Sequence, residues 1–443
     1  MKNFIETLGN IWKIKELRGR ILFTLGLLAV YRLGSFVPLP GVDEMKLIGL
    51  SQAADANGLL GLLNSFTGGA FAHAAILGLG VMPYISASIV VQLMAFAVPA
   101  LQKLQKDGES GRKQLTQITR WLTIAIAAVQ GFSYIVAIDS EYHIVAPGIN
   151  MGMFYVSSVM LLVTGTMFTM WLGERITDRG VGNGVSLIIT IGIIARLPIA
   201  LAQEFTNKFT GGGAGGVIML LVEIILWLTV ILFTVMLVKG VRKIPVQYAK
   251  AVAASGQMGR KMPVGKRQYI PLKVNTAGVM PIIFAQAIMF IPGLIGGMFS
   301  DSVKMAFSDM FGLWYNVVLA ALIIAFTYLY TAIAVKTNDM ADDLKRNGGF
   351  IPGVKPGAPT ADLLDRILSL LTFPGSIALA IIAVLPTFAR LAGVDTNFAS
   401  FFGGTSLLIM VGVVIDTIQQ INSYLLNRHY DGLMKTGRIQ GRH

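Results

Sequence analysis

The sequence predicts an all-α polytopic membrane protein with ten transmembrane helices, and three observations support this fold class. Of the 443 residues, 54% are hydrophobic and only 13% are charged, whereas soluble domains carry about 25% charged residues. The mean hydropathy is +0.68, so most of the chain must be shielded from water. A chain of this length accommodates about ten apolar stretches of roughly 20 residues, each long enough to cross a bilayer.

Ten apolar stretches are found when the chain is scanned in windows of about 19 residues. They are residues 21–38, 76–98, 116–137, 151–172, 182–202, 216–238, 274–296, 313–335, 370–390 and 402–424. Because their number is even, both chain termini are expected on the same side of the membrane.

The basic residues are unequally distributed between the two sides. Of 36 Lys and Arg residues, 30 lie in the first 20 residues, in alternate connections and in the tail after 424, and five lie on the opposite side. Basic residues accumulate on the cytoplasmic side. We therefore expect cytoplasmic termini.

The first 20 residues form either an interfacial amphipathic helix or a frayed leader. The first apolar stretch is long enough to span and has no recognisable cleavage site after it, so we expect no cleavable signal peptide.

Residues 58–75 are apolar but too short to span. Gly61, Asn64, Gly68 and Gly69 interrupt them and leave about 14 usable apolar residues, fewer than a spanning helix needs. A re-entrant half-helix beside a cavity would accommodate this segment. A helix lying on the outer leaflet is the alternative.

No catalytic or metal-binding pattern is found in the sequence, so we expect neither an enzyme nor a cofactor. There is no Cys, the four His residues are scattered, and the glycine run 179–184 indicates a tight turn between helices rather than a nucleotide-binding loop. Of the charged residues within the predicted spans, we single out Arg32, Glu223 and Asp416, on three different spans. For Glu223 and Asp416 we favour a structural contact or a snorkelled position.

Two connections are long enough to project from the membrane. Residues 239–273 carry nine basic residues and no acidic one, which predicts a docking surface for anionic lipid head groups, ribosomal RNA phosphates or an acidic protein. The connection 336–369 contains five basic and five acidic residues. Two Pro-Gly steps there predict a stiff turn that presents Lys355 at its tip.

Ordered sequence blocks in both halves of the chain resemble the SecY/Sec61 family of protein translocases. They are residues 80–89, 108–113, 164–166, 171–174, 180–184, 271–275, 277–281 and 402–409. The resemblance covers nearly the whole chain. It implies two pseudo-symmetric halves of five helices, residues 1–205 and 206–443, which hinge around a central pore.

The resemblance also implies a ring of branched aliphatic side chains that closes the pore. The positions that match by motif are Val81, Ile85, Val185, Ile189, Ile283 and Ile409. Each of the two same-helix pairs is spaced i,i+4 and so occupies one helix face. Such a constriction seals by dewetting without binding any particular side chain. The family favours Ile, so Val81 and Val185 would leave a slightly wider ring.

The same resemblance implies that residues 58–75 are a plug that covers the pore from outside. It also implies that spans two and three separate from spans seven and eight to open a lateral gate toward lipid. The plug residues are Leu59, Leu60, Leu62, Leu63, Phe66, Gly68 and Gly69. The polar gate residues are Ser86, Gln92 and Gln286. Interhelical hydrogen bonds of about 0.6 kcal/mol each would also explain these polar side chains.

The partners implied by the resemblance are the SecE and SecG subunits, the SecA motor ATPase, the ribosome, and preproteins with signal sequences. The docking residues would be Arg242, Lys243, Lys250 and Lys355. The family usually has Arg at the last of these positions, and Lys keeps the charge but loses the bidentate geometry. The implied location is the bacterial inner membrane.

Two other functions remain as alternatives to a passive protein-conducting channel driven by a partner. A secondary transporter for a small solute would also use ten spans and a re-entrant segment, but it requires a polar site at the membrane midplane. A structural membrane scaffold would need neither a plug nor a gate.

Overall fold

The computed structural model describes residues 14–43, 46, 64, 67–211, 213–248, 268–286, 288, 289, 309 and 311–436. The elements are, in chain order, α1 (Lys15–Gly34), α2 (Met82–Ala97), α3 (Pro99–Lys106), α4 (Gly108–Tyr142), α5 (Met151–Arg179), α6 (Gly184–Gly211), α7 (Gly213–Lys239), β1 (Val241–Tyr248), β2 (Gln268–Lys273), α8 (Leu313–Ala334), α9 (Thr337–Arg346), β3 (Gly349–Phe350), α10 (Ala358–Leu391), α11 (Thr396–Ala399) and α12 (Gly404–Thr436). Residues 280–286 are also helical.

The predicted fold class, a helical polytopic membrane protein, is confirmed. Within the residues described above, seven helices are long and apolar enough to cross a membrane, or eight if the bent pair α2 and α3 counts as one span. The other two predicted spans are α1, a helix that carries five charged residues, and residues 274–296, of which 287 and 290–296 lie outside the described residues.

Several helices are longer than the apolar stretches that predict them. The 35 residues of α4 extend beyond the predicted 116–137, and the 34 residues of α10 extend beyond 370–390. The added helical turns contain charged residues. These lower the mean hydropathy of any window that includes them, so the scan ends the apolar stretch before the helix ends. The predicted connection 336–369 therefore contains α9, β3 and the first turns of α10.

The chain divides into two compact units. Unit 1 comprises Met1–Ala214, Asp395–Phe398 and Ile409–His443, and unit 2 comprises Gly215–Val394 and Ala399–Leu408. The pseudo-symmetry of the predicted halves stays a prediction.

In unit 1, backbones approach each other at glycines. A Cβ added to Gly184 at the start of α6 would lie 2.0 Å from the carbonyl oxygen of Gly173 in α5. Small residues permit such close packing in a membrane, where no hydrophobic force draws helices together. A buried core joins α4 and α5 to the segment before α2; its members are Leu39, Phe71, Leu79, Tyr134, Ile135, Ile138, Ile144, Phe154 and Leu162.

The glycine run 179–184 forms the tight turn that the sequence predicts, between the end of α5 and the start of α6. Gly182 has a φ of +83°, a value that favours glycine. Its N–H donates to Oε1 of Gln420 at 2.9 Å, and the N–H of Val181 donates to Oγ1 of Thr24 at 3.1 Å. These bonds fix the start of α6 to α12 and α1.

In unit 2, α8 packs along α10. Their shared core also includes residues of the helical segment 280–286, Met289 and a residue of α12; its members are Ile282, Ala285, Met289, Tyr315, Leu319, Ile323, Leu379, Ala380, Ile382, Ala383 and Leu408. The Nε1–H of Trp227 in α7 donates to the carbonyl oxygen of Phe401 at 2.8 Å. This bond satisfies a donor that would otherwise be costly in an apolar surrounding.

Unit 2 also contains a three-stranded antiparallel sheet with strand order β2-β1-β3. No strand was expected here from the sequence. Side chains of β1 alternate, with Ile244 and Val246 buried and their neighbours exposed. The buried face packs on Leu344 of α9, on Ile351 directly after β3, and on Leu364 and Leu368 of α10.

Candidate functional site

The predicted pore-ring residues lie at the beginnings of helices. Val81 directly precedes α2, and the N–H of Ile85 donates to its carbonyl oxygen at 3.0 Å, so the two residues are one helical turn apart. Val185 and Ile189 occupy the first two turns of α6. Ile409 lies in the second turn of α12. The i,i+4 geometry expected for both pairs is therefore present.

The burial of these side chains divides them into two groups. Val81, Ile189 and Ile409 are at most 3% exposed, whereas Ile85, Val185 and Ile283 are half-buried. Five of the six residues belong to unit 1, and Ile283 belongs to unit 2. Their assembly into one ring stays a prediction.

The predicted plug is described in part. Leu59, Leu60, Leu62, Leu63 and Phe66 lie outside the described residues. Residues 67–75 form turns and a single bridging residue rather than the expected half-helix. The reason is local, because Gly68, Gly69 and Ala74 all have positive φ values, which a right-handed helix excludes.

The described part of this segment is buried and well bonded. Oη of Tyr134 in α4 donates to the carbonyl oxygen of Phe71 at 2.8 Å. Oδ1 of Asn64 accepts from the N–H of Ala72 at 3.1 Å. Oγ1 of Thr67 accepts from the N–H of Phe71 at 3.2 Å. Polar side chains thus satisfy backbone groups that a regular helix would have paired internally.

Electrostatics near this segment are positive. Partial burial and the positive charges of Arg32 and Arg196 lower the pKa of His73 below its usual 6.5. Arg32 and Arg196 thus supply the positive charge near this segment.

The predicted gate residues make different kinds of contact. Gln286 is buried, and its Nε2 donates to Oγ1 of Thr405 in α12 at 2.8 Å, which is an interhelical bond. Nε2 of Gln92 instead donates to Oγ of Ser88 within α2, at 3.1 Å. Ser86 is half-buried on the same helix. The gate itself stays a prediction.

The two predicted docking connections are joined through the sheet. Arg242 and Lys243 are exposed on β1, opposite Leu272 and Pro271 of β2. The other edge of β1 pairs with β3, which comes from the second connection. Lys250 lies outside the described residues.

The turn that carries Lys355 is anchored on both sides. Ile351 is buried in the core beneath the sheet, and Oγ1 of Thr360 donates to the carbonyl oxygen of Lys355 at 2.8 Å. Gly353 and Gly357 have positive φ, as sharp turns require. The Lys355 side chain between these anchors is exposed. A turn with an exposed Lys355 is therefore present, and its role in docking stays a prediction.

The charged residues of the other spans have distinct surroundings. Glu223 is buried in α7. Asp416 is exposed and lines an open cleft of about 590 Å³ with Asn183, Gln419, Gln420, Ser423 and Tyr424. This cleft has polar walls and one carboxylate. Among the described residues, no group of His, Asp or Glu is arranged to hold a metal ion.

One polar cluster was missed by the sequence analysis. The N–H of Asp395 donates to Oε2 of Glu204 at 2.8 Å, and Nδ2 of Asn207 donates to Oδ2 of Asp395 at 3.1 Å. Nδ2 of Asn397 donates to Oε1 of Gln203 at 2.9 Å. The cluster fastens α11 to the end of α6. Its only sequence signal is the spacing of polar residues over 203–208 at one end of an apolar stretch.

The sequence of this chain was compared with family models and with known proteins, and both comparisons point to the same family. Residues 75–418 match the family model named SecY. The protein translocase subunit SecY of Chlamydia trachomatis serovar D is 38% identical over 463 aligned positions, which cover 99% of this chain and 100% of the relative.

Solved structures share the fold. One belongs to a SecY protein whose plug domain is described as stabilising the closed state of the translocation channel and maintaining a membrane seal; it has a TM-score of 0.60 and 17% identity. Another is Sec61 in the canine ribosome-channel complex, with a TM-score of 0.58 and 16% identity. Each match covers 92% of both chains.

Proposed function

Since this chain belongs to the SecY family and is a channel-forming subunit of a protein translocase, we propose that it conducts unfolded secretory polypeptides through a pore closed by six aliphatic side chains. The observation that carries this proposal is the match to a protein translocase subunit over 99% of the chain. The protein is a channel, not an enzyme. The energy for transport comes from a partner, because the sequence has no nucleotide-binding motif.

The chemistry of the proposed ring suits a channel for arbitrary sequences. Aliphatic side chains offer neither charge nor hydrogen bonds, so they hold no passing residue tightly and they exclude water and ions when they meet. The buried positions of Val81, Ile189 and Ile409 support such a contact. Residues 58–75 are proposed to cover this ring as a plug.

A transporter for a small solute fits the charged residues less well. Such a site needs several polar groups that converge at the midplane. Arg32, Glu223 and Asp416 belong to three different helices, α1, α7 and α12. The match to the SecY family also disfavours a small-solute transporter.

Lateral release is proposed for substrates with a sufficiently apolar segment. A signal sequence would enter between spans two and three and spans seven and eight, beside Ser86, Gln92 and Gln286. Gln286 is bonded to Thr405 of the tenth span, and a wetted seam would require it to exchange that bond for one to water. Such exchange costs little, because these bonds contribute about 0.6 kcal/mol each.

The exposed basic residues of the sheet are proposed to dock the translocation partners. Arg242, Lys243, Lys355 and also Lys250 would meet ribosomal RNA phosphates or the SecA motor ATPase, and anionic lipids nearby. SecE and SecG are the proposed partner subunits. The large excess of basic residues on one side of the predicted spans supports placing both termini in the cytoplasm of a bacterium, with the chain in its inner membrane.

The test of conduction uses the absence of cysteine from this chain. Ile85→Cys is expected to form a disulfide with a single-Cys secretory chain stalled in mid-export, because the ring surrounds the passing polypeptide. The matched control is Val129→Cys on α4, where the side chain is 68% exposed. Cross-linking is measured by a shift in gel mobility that a reductant reverses.

Cross-linking at Ile85 but not at Val129 supports the pore assignment. Equal cross-linking at both positions, or none at either, in membranes that export normally would show that the ring is wrongly placed, and the transporter alternative would return.

A further inference from the structure

Arg32 is the only charged residue in the first predicted span, and neither the proposed pore nor the docking surface uses it. It lies in the last turn of α1 and is half-buried. A guanidinium within a membrane span is costly unless its donors are bonded. The groups that it contacts therefore indicate what the residue does.

The contacts of Arg32 lead to the plug segment. Its Nη1 donates a hydrogen bond to the backbone carbonyl oxygen of Gly68. The neighbouring residue, Tyr31, is fully buried and directs its Oη to the carbonyl oxygen of Thr67 at 3.4 Å. Two successive side chains of α1 thus hold two successive carbonyl oxygens of the segment.

Aromatic contacts complete this arrangement. The guanidinium carbon of Arg32 lies 4.8 Å from the centre of the Phe36 ring. The Phe36 ring is in turn 5.5 Å from the ring of His73 in the plug segment. A cation over an aromatic face adds to the attraction and orients the guanidinium.

Gly68 is held between two helices at this point. Its φ is +65°, and a Cβ there would lie 2.7 Å from Nη1 of Arg32 and 2.8 Å from Cα of Gly192 in α6. The backbone therefore passes between α1 and α6 with no space for a side chain. The carbonyl group that Arg32 binds is thus fixed in position.

We propose that Arg32 is a positioning residue that latches the plug segment in the closed state through the carbonyl oxygen of Gly68. The inference rests on the proposed function of residues 58–75 as the plug. A charge-assisted hydrogen bond is strong and directional.

The test measures the ion conductance of the reconstituted translocase in planar bilayers without a substrate. Arg32→Gln is expected to raise this resting conductance about tenfold, because losing a charge-assisted hydrogen bond shifts a two-state equilibrium by about that factor. Arg32→Lys retains a cationic donor and is expected to restore most of the seal. Arg18→Gln, at an exposed position of the same helix, is the matched control and should conduct like the unaltered chain.

A second change separates the latch from the plug. Residues 58–66 are replaced by a Gly-Ser linker of equal length. If this replacement leaves the resting conductance unchanged, the plug function fails and the latch fails with it. If it raises the conductance while Arg32→Gln does not, the latch alone is overturned and the plug stands.

Combining the two changes in one chain excludes a merely structural role for Arg32. The double variant should conduct no more than the linker variant, since the latch acts only through the plug. An additive rise would overturn the latch.

Should Arg32→Gln fail to fold, Tyr31→Phe is the alternative variant. It removes the adjacent bond to Thr67 and is expected to raise the conductance by a smaller factor. Unchanged conductance in that variant would contradict the proposal.

Discussion

Gly165→Ala is expected to destabilise the protein severely, by about 3 kcal/mol or more, as overpacking against a rigid neighbour does. The added Cβ would lie 2.2 Å from the carbonyl oxygen of Ile76 and 3.0 Å from its carbonyl carbon. Both atoms are backbone, so no side-chain rotation relieves the contact. α5 and the segment that enters α2 would have to separate. The measurements are accumulation of the protein in membranes and its thermal midpoint in detergent.

Gly131→Ala is the matched control, because it is the same substitution in another membrane helix. The new Cβ would meet side-chain atoms of Leu162 and Leu79 at 3.6 Å, an ordinary contact distance. Alanine also has the higher helix propensity, by about 1 kcal/mol. A thermal midpoint that is unchanged or higher is therefore expected. Similar losses in the two variants would contradict the close approach at Gly165.

Lys355→Glu is expected to reduce preprotein translocation by about tenfold or more, since a like charge placed against an anionic partner costs several kcal/mol. Insertion of the chain itself should be unaffected. The side chain is exposed, and the turn is anchored by Ile351 and by the hydroxyl group of Thr360, neither of which the substitution touches. The measurement is export of a secretory precursor, alongside the amount of the variant in the membrane.

Two further variants show whether position matters or only charge. Lys345→Glu reverses an exposed charge on α9, in the same connection, and should leave export nearly unchanged. Lys355→Arg restores the residue usual in the family and a bidentate donor, so docking should persist or strengthen. Normal export with Lys355→Glu would remove this residue from the docking surface.

The membrane helices could be predicted because their signal is local. An apolar stretch such as 151–172 must leave water regardless of what surrounds it, and α5 contains it entirely. The turn at Lys355 was predictable for the same reason, since Pro and Gly restrict the backbone by themselves. Helix lengths were not, because the charged ends of α4 and α10 project beyond the apolar window.

Contacts between distant residues could not be predicted in this way. Gly165 and Gly131 are both glycines in apolar helices, and nothing near them in the sequence distinguishes a backbone crossing from open packing. The bond from Val181 to Thr24 joins residues 157 positions apart. The pairing of β1 with β3 is equally remote. Arg32 was recognised as unusual, but its partner Gly68 was known only once the chain was folded.

The pairing of β1 with β3 has a consequence for the order of events during synthesis. Strand β1 and its hairpin partner β2 leave the ribosome early, whereas Gly349 and Phe350 follow only after α8 and α9 have been made. Until then, the backbone of Gln247 and Tyr248 lacks the partner it has in the finished sheet. An open strand edge is a template for pairing with other chains. During synthesis, this edge of β1 is therefore open to pairing with other chains until β3 has been made.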